Sequence, residues 1–269
     1  MPKYQGQCPV TREVDIYTGC PFGCVYCVAK QNHTENILPT GNEEELLQTT
    51  FSDIPLYLSP WTDAYPPGEA KHNRTGSLIK HLSATEQPFY IITRSLLVKR
   101  DIDIIRKSKN AFVAISLNTL DNSITDILEP SAPTAKQRVA LIEELVNISD
   151  LRTVVRIDPI IPGVTDGKKL EELLEWIQKI KPFAIGVETL RINNDIKSRM
   201  KNALPEDLFK KMMKFYPEVN EEPVHPPLQW RLDLFKEIAS NFKNTPVRAS
   251  FCRATLPIQI TDWDCRGGY

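Results

Sequence analysis

A chain of 269 residues, 41% hydrophobic and 25% charged, is long enough for one large domain with a sizeable core. Its formal net charge of −1 gives no overall basic bias toward nucleic acid or anionic lipid, although a local basic groove stays open. No run approaches the roughly 20 apolar residues that span a bilayer, and the start Met1-Pro-Lys-Tyr-Gln-Gly-Gln-Cys8 has no apolar core of a signal peptide. We therefore expect a cytoplasmic protein with no membrane partner. In that setting six cysteines argue for metal or redox chemistry rather than disulfides.

In chain order, short apolar runs rich in β-branched and aromatic residues alternate with helix-like segments. Residues 12–18 read as a first strand that runs into a cysteine-rich loop. Residues 42–50 read as a helix with three glutamates in its first turn, where the helix dipole favours them. Strands follow at 56–59, 89–93, 112–117, 153–157 and 184–190. Helices lie between them at 74–82, 97–108, 121–128, 133–148 and 168–180. Two or three more helices fall within 195–215 and 228–241, and 247–251 is a possible last strand. Residues 214–227, rich in Pro and Glu, read as a long surface loop. Such alternation predicts a parallel sheet covered by helices, with active residues at the C-terminal strand ends.

The loop after the first strand reads Tyr17-Thr-Gly-Cys-Pro-Phe-Gly-Cys-Val-Tyr-Cys27, so Cys20, Cys24 and Cys27 have the spacing C-x3-C-x2-C. Gly19, Pro21 and Gly23 let the loop bend so that three thiolates converge. Structural zinc and electron-transfer iron–sulfur clusters normally take four protein ligands. Three thiolates on a 4Fe–4S cube leave one iron open. The alternative is a non-enzymatic zinc knuckle that adds His33.

The run, with aromatic Tyr26 just before the third cysteine, resembles the signature of the radical S-adenosylmethionine (SAM) enzymes. The resemblance implies a partial (β/α)6 TIM-type barrel, with a full eight-unit barrel as the alternative. It implies one radical SAM domain over residues 1–269, with a core of about 12–190 and a helical extension and tail at about 191–269. It further implies a 4Fe–4S cluster, SAM bound at the open iron, and an electron donor such as flavodoxin or ferredoxin. The implied chemistry is reductive cleavage of SAM to a 5′-deoxyadenosyl radical that abstracts hydrogen from a substrate.

The strand ends carry further runs: Ser59-Pro-Trp-Thr-Asp-Ala-Tyr65, Thr93-Arg-Ser95, Leu128-Glu-Pro130 with Arg138, and Arg156-Ile-Asp-Pro-Ile-Ile-Pro-Gly163. Together these are similar to the spore photoproduct lyase branch of the family, over about residues 12–163. The likeness implies that Ser59, Thr62 and Asp63 meet the amino group of SAM; otherwise Asp63 caps a turn before Pro66. It places Arg94 where relatives have lysine, suited to the SAM carboxylate; otherwise Arg94 pairs at the surface with Asp101 or Asp103. Ser116 and Asn118 bind ribose or carboxylate, or simply form a strand-to-helix turn. Arg156 pairs with Glu129 inside the barrel or touches the ligand. Ile160 and Ile161 cover the adenine or belong to the core. The branch's strand-two cysteine is absent here, which argues against DNA-lesion repair. A small molecule or a peptide is the expected substrate, with nucleic acid disfavoured.

Cys8, Cys252 and Cys265 lie outside the motif. Cys265 is a candidate hydrogen donor, or joins Cys8 and Cys252 on an auxiliary cluster, or all three are inert. Trp61, Tyr65 and Trp263 are candidates for a substrate pocket. The tail 251–269 is expected to close the barrel mouth.

Overall fold

Each strand pairs in parallel with the next one along the chain, and this sequential order is what curls the sheet. The computed structural model describes residues 12–29, 37–48 and 54–251. Seven strands follow one another: β1 (Arg12–Val14), β2 (Leu56–Leu58), β3 (Phe89–Thr93), β4 (Ala111–Ser116), β5 (Thr153–Ile160), β6 (Ala184–Thr189) and β7 (Arg248–Phe251). Their order in the sheet is β1 to β7 without a crossover, and among the described residues β1 and β7 do not pair. The result is an open, partial barrel.

Helices cover its outside: α1 (Asn42–Leu46), α2 (Glu69–His72), α3 (Arg74–Ala84), α4 (Ile102–Ile105), α5 (Asn122–Leu128), α6 (Ala135–Val146) and α7 (Lys168–Ile180). Three more, α8 (Asn194–Ala203), α9 (Glu206–Met213) and α10 (Leu228–Phe242), precede the last strand. Among the described residues no helix is long and apolar enough to cross a membrane.

The period of two along each strand sorts side chains to two faces. Leu58, Ile91, Val113, Ile115, Val155, Ile157, Ile185 and Val187 face the helices and are fully buried there. The alternate residues face inward. Tyr57 stacks on Tyr90 at 4.6 Å between ring centroids, and Tyr90 on Phe112 at 4.8 Å. With Ala114, Val154 and Ala184 they form a separate apolar cluster inside the barrel.

Some boundaries moved for physical reasons. The first strand ends at Val14, because Ser59 turns the neighbouring strand away in a left-handed conformation (φ 58°). The chain then pairs with the segment after the cysteine loop, through a Tyr17–Pro39 bridge. β5 runs on to Ile160, past Pro159, by way of a register shift between Ile157 and Ile160. A bulge of this kind removes the need for the N–H that proline lacks. The helix expected over 97–108 starts instead as a 3-10 turn, Leu96–Asp101, capped by the Ser95 hydroxyl. Thr134 opens α6 with a full capping box to Gln137. The loop 214–227 is less free than expected. Val224 bridges to Ile192, and the buried Tyr216 hydroxyl donates to the Leu190 carbonyl at 2.7 Å.

Candidate active site

The cysteine loop is fixed from three sides. Gly23 takes φ 65°, a left-handed turn that L side chains rarely adopt. The Val25 amide donates to the Leu128 carbonyl at 2.9 Å, and Ser131 to Phe22 at 3.2 Å. From α8, Arg199 donates to the carbonyls of Val25 (2.6 Å) and Cys27 (2.7 Å) while pairing with Asp195. Cys20, Cys24 and Cys27 all line one cavity of about 310 Å³ inside the barrel. All three thiols are free, and Cys24 is buried. Burial pushes the Cys24 thiol up to about 12, and raises those of Cys20 and Cys27 as well.

Tyr26 anchors the loop to the barrel. Its hydroxyl donates to Glu129 and accepts from Arg94 Nη2 (2.8 Å) and Asn118 Nδ2 (2.9 Å). Glu129 also accepts from Arg94 Nε at 3.2 Å and from Arg138 Nη2 at 2.5 Å. Burial favours the protonated acid, but Arg94 and Arg138 hold Glu129 below the usual carboxylate range. Arg138 also donates to the Ser116 carbonyl at 2.7 Å.

The strand-end residues fall into groups. Ser59, Thr62, Asp63, Arg94, Ser116 and Arg156 line the cavity with the cysteines and Tyr26. Asp63 is wholly engaged. It accepts from Thr93 Oγ1 (2.6 Å), the Tyr65 amide (2.8 Å) and the Arg94 amide (3.0 Å), so it ties the turn after β2 to the end of β3. Thr62 donates to Asp15 at 2.8 Å, and Trp61 caps the same carboxylate through its amide at 3.2 Å. Asn118 serves the Tyr26–Glu129 network and accepts from the Asp158 amide at 3.2 Å. Among the described residues Arg94 pairs with Glu129 rather than at the surface, where Asp101 belongs to Arg100 and Asp103 to Arg106.

Three expectations need correction. Arg156 does not pair with Glu129 but with Asp158 (2.6 Å), two residues on along the same inward face. Ile160 is fully buried in the core between sheet and helices, and Ile161 joins the cluster beneath the cysteine loop. Tyr65 is likewise core, with Arg100 over its ring at 5.9 Å, whereas Trp61 does line the cavity. Cys8, His33, Cys252, Trp263, Cys265 and the tail lie outside the described residues.

Sequence reasoning missed Arg199, which reaches the loop from a helix about 170 residues away. It also missed the wall made by Glu188, Arg191 and Ser250 at the ends of β6 and β7. Strand alternation was the available signal for that wall, since Glu188 and Ser250 occupy inward positions.

The family model described as the radical SAM superfamily matches residues 14–177. An uncharacterized protein of Methanocaldococcus jannaschii is 25% identical over 178 residues, covering 63% of this chain and 66% of that protein. The chain thus spans slightly less than two thirds of that relative's length. Among solved structures, a spore photoproduct lyase variant with a dinucleoside spore photoproduct superposes with a TM-score of 0.68 at 12% identity, covering 87% of this chain and 74% of that one. SuiB of Streptococcus suis bound to S-adenosylmethionine gives 0.62 at 11% identity, covering 96% and 56%. The sheet, the cysteine loop at its mouth and the family match over more than half the sequence agree: the chain belongs to the radical SAM superfamily of enzymes.

Proposed function

We propose that the chain holds a 4Fe–4S cluster on Cys20, Cys24 and Cys27, binds SAM beside it, and acts on a substrate in the same cavity. One juxtaposition carries this reading: the three thiols and the polar ends of β2 to β5 open onto a single space. The donor set fits the group. Buried thiols of raised pKa stay protonated at neutral pH unless a metal takes them as ligands.

When bound, the cluster and SAM supply one-electron chemistry that ends in hydrogen abstraction from a substrate. The chain's own residues hold and shield them. Tyr26, Glu129 and Arg94 fix the loop, and Arg199 ties down its carbonyls. Arg94 uses Nε and Nη2 on Glu129 and Tyr26, which leaves Nη1 for a carboxylate. The turn after β2, whose Ser59, Thr62 and Asp63 line the cavity, suits an ammonium group. The Tyr57–Tyr90–Phe112 stack closes the apolar end against water.

The substrate is read as a small molecule or a peptide. Near-neutral charge does not by itself exclude nucleic acid. One structural neighbour is solved with a dinucleoside spore photoproduct and another with a precursor peptide.

Anaerobic reconstitution tests the reading. About four iron and four sulfide per chain are expected, with brown absorbance and SAM-dependent 5′-deoxyadenosine. Cys20→Ala, Cys24→Ala or Cys27→Ala should each lose the iron and the cleavage. A colourless protein with one zinc, or a variant that keeps both properties, would overturn it.

A further inference from the structure

The cavity has two unlike sides. The cysteines, Ser59, Asp63 and Arg94 stand at the β1–β3 side, and Arg156, Gly186, Glu188, Arg191 and Ser250 at the β5–β7 side. Among the described residues the second side is richer in cations than in anions. Arg156 is matched by Asp158, and the buried Arg231 of α10 by Glu188 at 3.5 Å. Arg191 lines the cavity, yet among the described residues it has no ion pair and no hydrogen bond. Its field is felt nearby. Burial would raise Asp158, but Arg156, Arg191 and Arg94 together hold it below the usual carboxylate range. Burial, then Arg231 and Arg191, push His225 down to about 3, against a weaker opposing pull from Asp158, so its ring stays neutral and adds no charge.

Two features of shape agree. A Cβ on Gly186 would lie 3.2 Å from Arg156 Nη1 and 3.3 Å from its Cδ, so glycine makes room for that guanidinium against β6. Ser250 is fully buried on β7 and lines the cavity, and among the described residues its hydroxyl has no partner. A buried hydroxyl left without a partner is uncommon and points to a group missing from the site.

We infer that the β5–β7 side is a substrate subsite for an oxyanion, a carboxylate or a phosphate. Arg191 is its principal cation, with Arg156 beside it and the Ser250 hydroxyl as a further donor. The subsite rests on the proposed radical SAM reading, because it would set the substrate across the cavity from the motif cysteines. A guanidinium fork takes such a group with two charge-assisted hydrogen bonds.

The test is calorimetric titration of the reconstituted, SAM-saturated enzyme with inorganic phosphate and, separately, with acetate. Saturating SAM fills the other position that takes a carboxylate. The wild type should bind at least one anion in roughly the millimolar range, and the stronger of the two names the oxyanion. Arg191→Gln should weaken that binding about ten- to a hundredfold, and Arg191→Lys less, with SAM affinity unchanged in both. Ser250→Ala, a smaller change, should weaken it several-fold and guards against misfolding of the arginine variants. The subsite is overturned if neither anion binds the wild type, or if Arg191→Gln binds like wild type. Loss of SAM affinity in Arg191→Gln also overturns it, since Arg191 would then serve SAM. Failure of the radical SAM reading shows separately, as wild-type protein without iron or SAM binding. The same comparison of variants, run without SAM, then still decides the anion site.

Discussion

Arg94 Nη2 donates to the Tyr26 hydroxyl at 2.8 Å, so the end of β3 and the aromatic residue of the cysteine motif are one hydrogen-bonded unit. Glu129 lies between them and Arg138, accepting from both arginines and from Tyr26. A buried carboxylate shared by two guanidinium groups is tolerable only when every partner is present. The network therefore does two jobs: it gives two inward guanidinium groups a shared counter-charge, and it sets the position of Cys24 and Cys27 relative to β3.

Removing the shared anion should be costly. Glu129→Ala leaves Arg138, 1% exposed, without a counter-charge among the described residues. A broken buried pair typically costs about 3–5 kcal/mol. We expect a loss of that size in equilibrium unfolding, and a smaller one in Arg138→Ala, where Glu129 keeps Arg94 and Tyr26. The double variant should cost less than the sum, because Glu129→Ala has already removed the partner of Arg138. Strict additivity of the two would show that the residues do not act as a pair.

How far the site was legible in the sequence depends on whether its signal is local. The C-x3-C-x2-C loop is local, and Cys20, Cys24 and Cys27 were found at once. The β-strands were legible because their apolar runs are buried on the outer face, as in Val113 and Ile115 of β4. Contacts that cross the fold were not legible. The Arg156–Glu129 pairing failed for the opposite reason: a carboxylate two residues on along the same inward strand face, Asp158, takes the guanidinium first. Ile160 was misplaced by the bulge in β5, which a regular alternation cannot foresee. Arg199 left no trace, since an Asp195–Arg199 spacing on a helix reads as an ordinary surface pair.

Arg199 should matter for cluster retention more than for folding. It is the described side chain that donates to two carbonyls of the cysteine loop, at 2.6 and 2.7 Å. Arg199→Met keeps most of the packing and removes the donors. The reconstituted variant should lose iron to a chelator several-fold faster than wild type, with little change in melting temperature. Equal rates of iron loss would reduce the contact to decoration.

Gly163 joins backbone geometry to packing. It has φ 74°, and a Cβ there would sit 2.9 Å from the Lys211 carbonyl carbon in α9. Gly163→Ala therefore meets left-handed strain of about 1–2 kcal/mol and an overpacking cost of about 1–3 kcal/mol. Unfolding measurements should show a loss in the combined range, and α9 should exchange its amide hydrogens faster. A near-neutral effect would mean that α9 is not seated on the loop after β5.

The buried thiols make a prediction about pH. Cys24 is raised from 9.0 to about 12, chiefly by burial, with Arg94 pulling it down and Glu129 and Cys27 pushing it up. In metal-free protein the folded state thus holds this proton more tightly than the unfolded chain does. The associated stability is complete below pH 9 and is lost as pH rises toward 12. Metal-free Cys24→Ala should therefore show a flatter fall in unfolding free energy across that window than wild type. Buried tyrosines such as Tyr26 slope in the same direction, but they are common to both proteins and cancel in the comparison. Binding of iron should reverse the preference, because the ligands are thiolates. Loading the wild type with iron and sulfide in a weakly buffered solution near neutrality should then release protons from the motif thiols on top of those that the sulfide gives up, and Cys24→Ala should release fewer. Parallel pH profiles for the two metal-free proteins would show that folding does not raise the thiol, and loading that releases no more protons from wild type than from Cys24→Ala would show that it is already ionised in the folded chain.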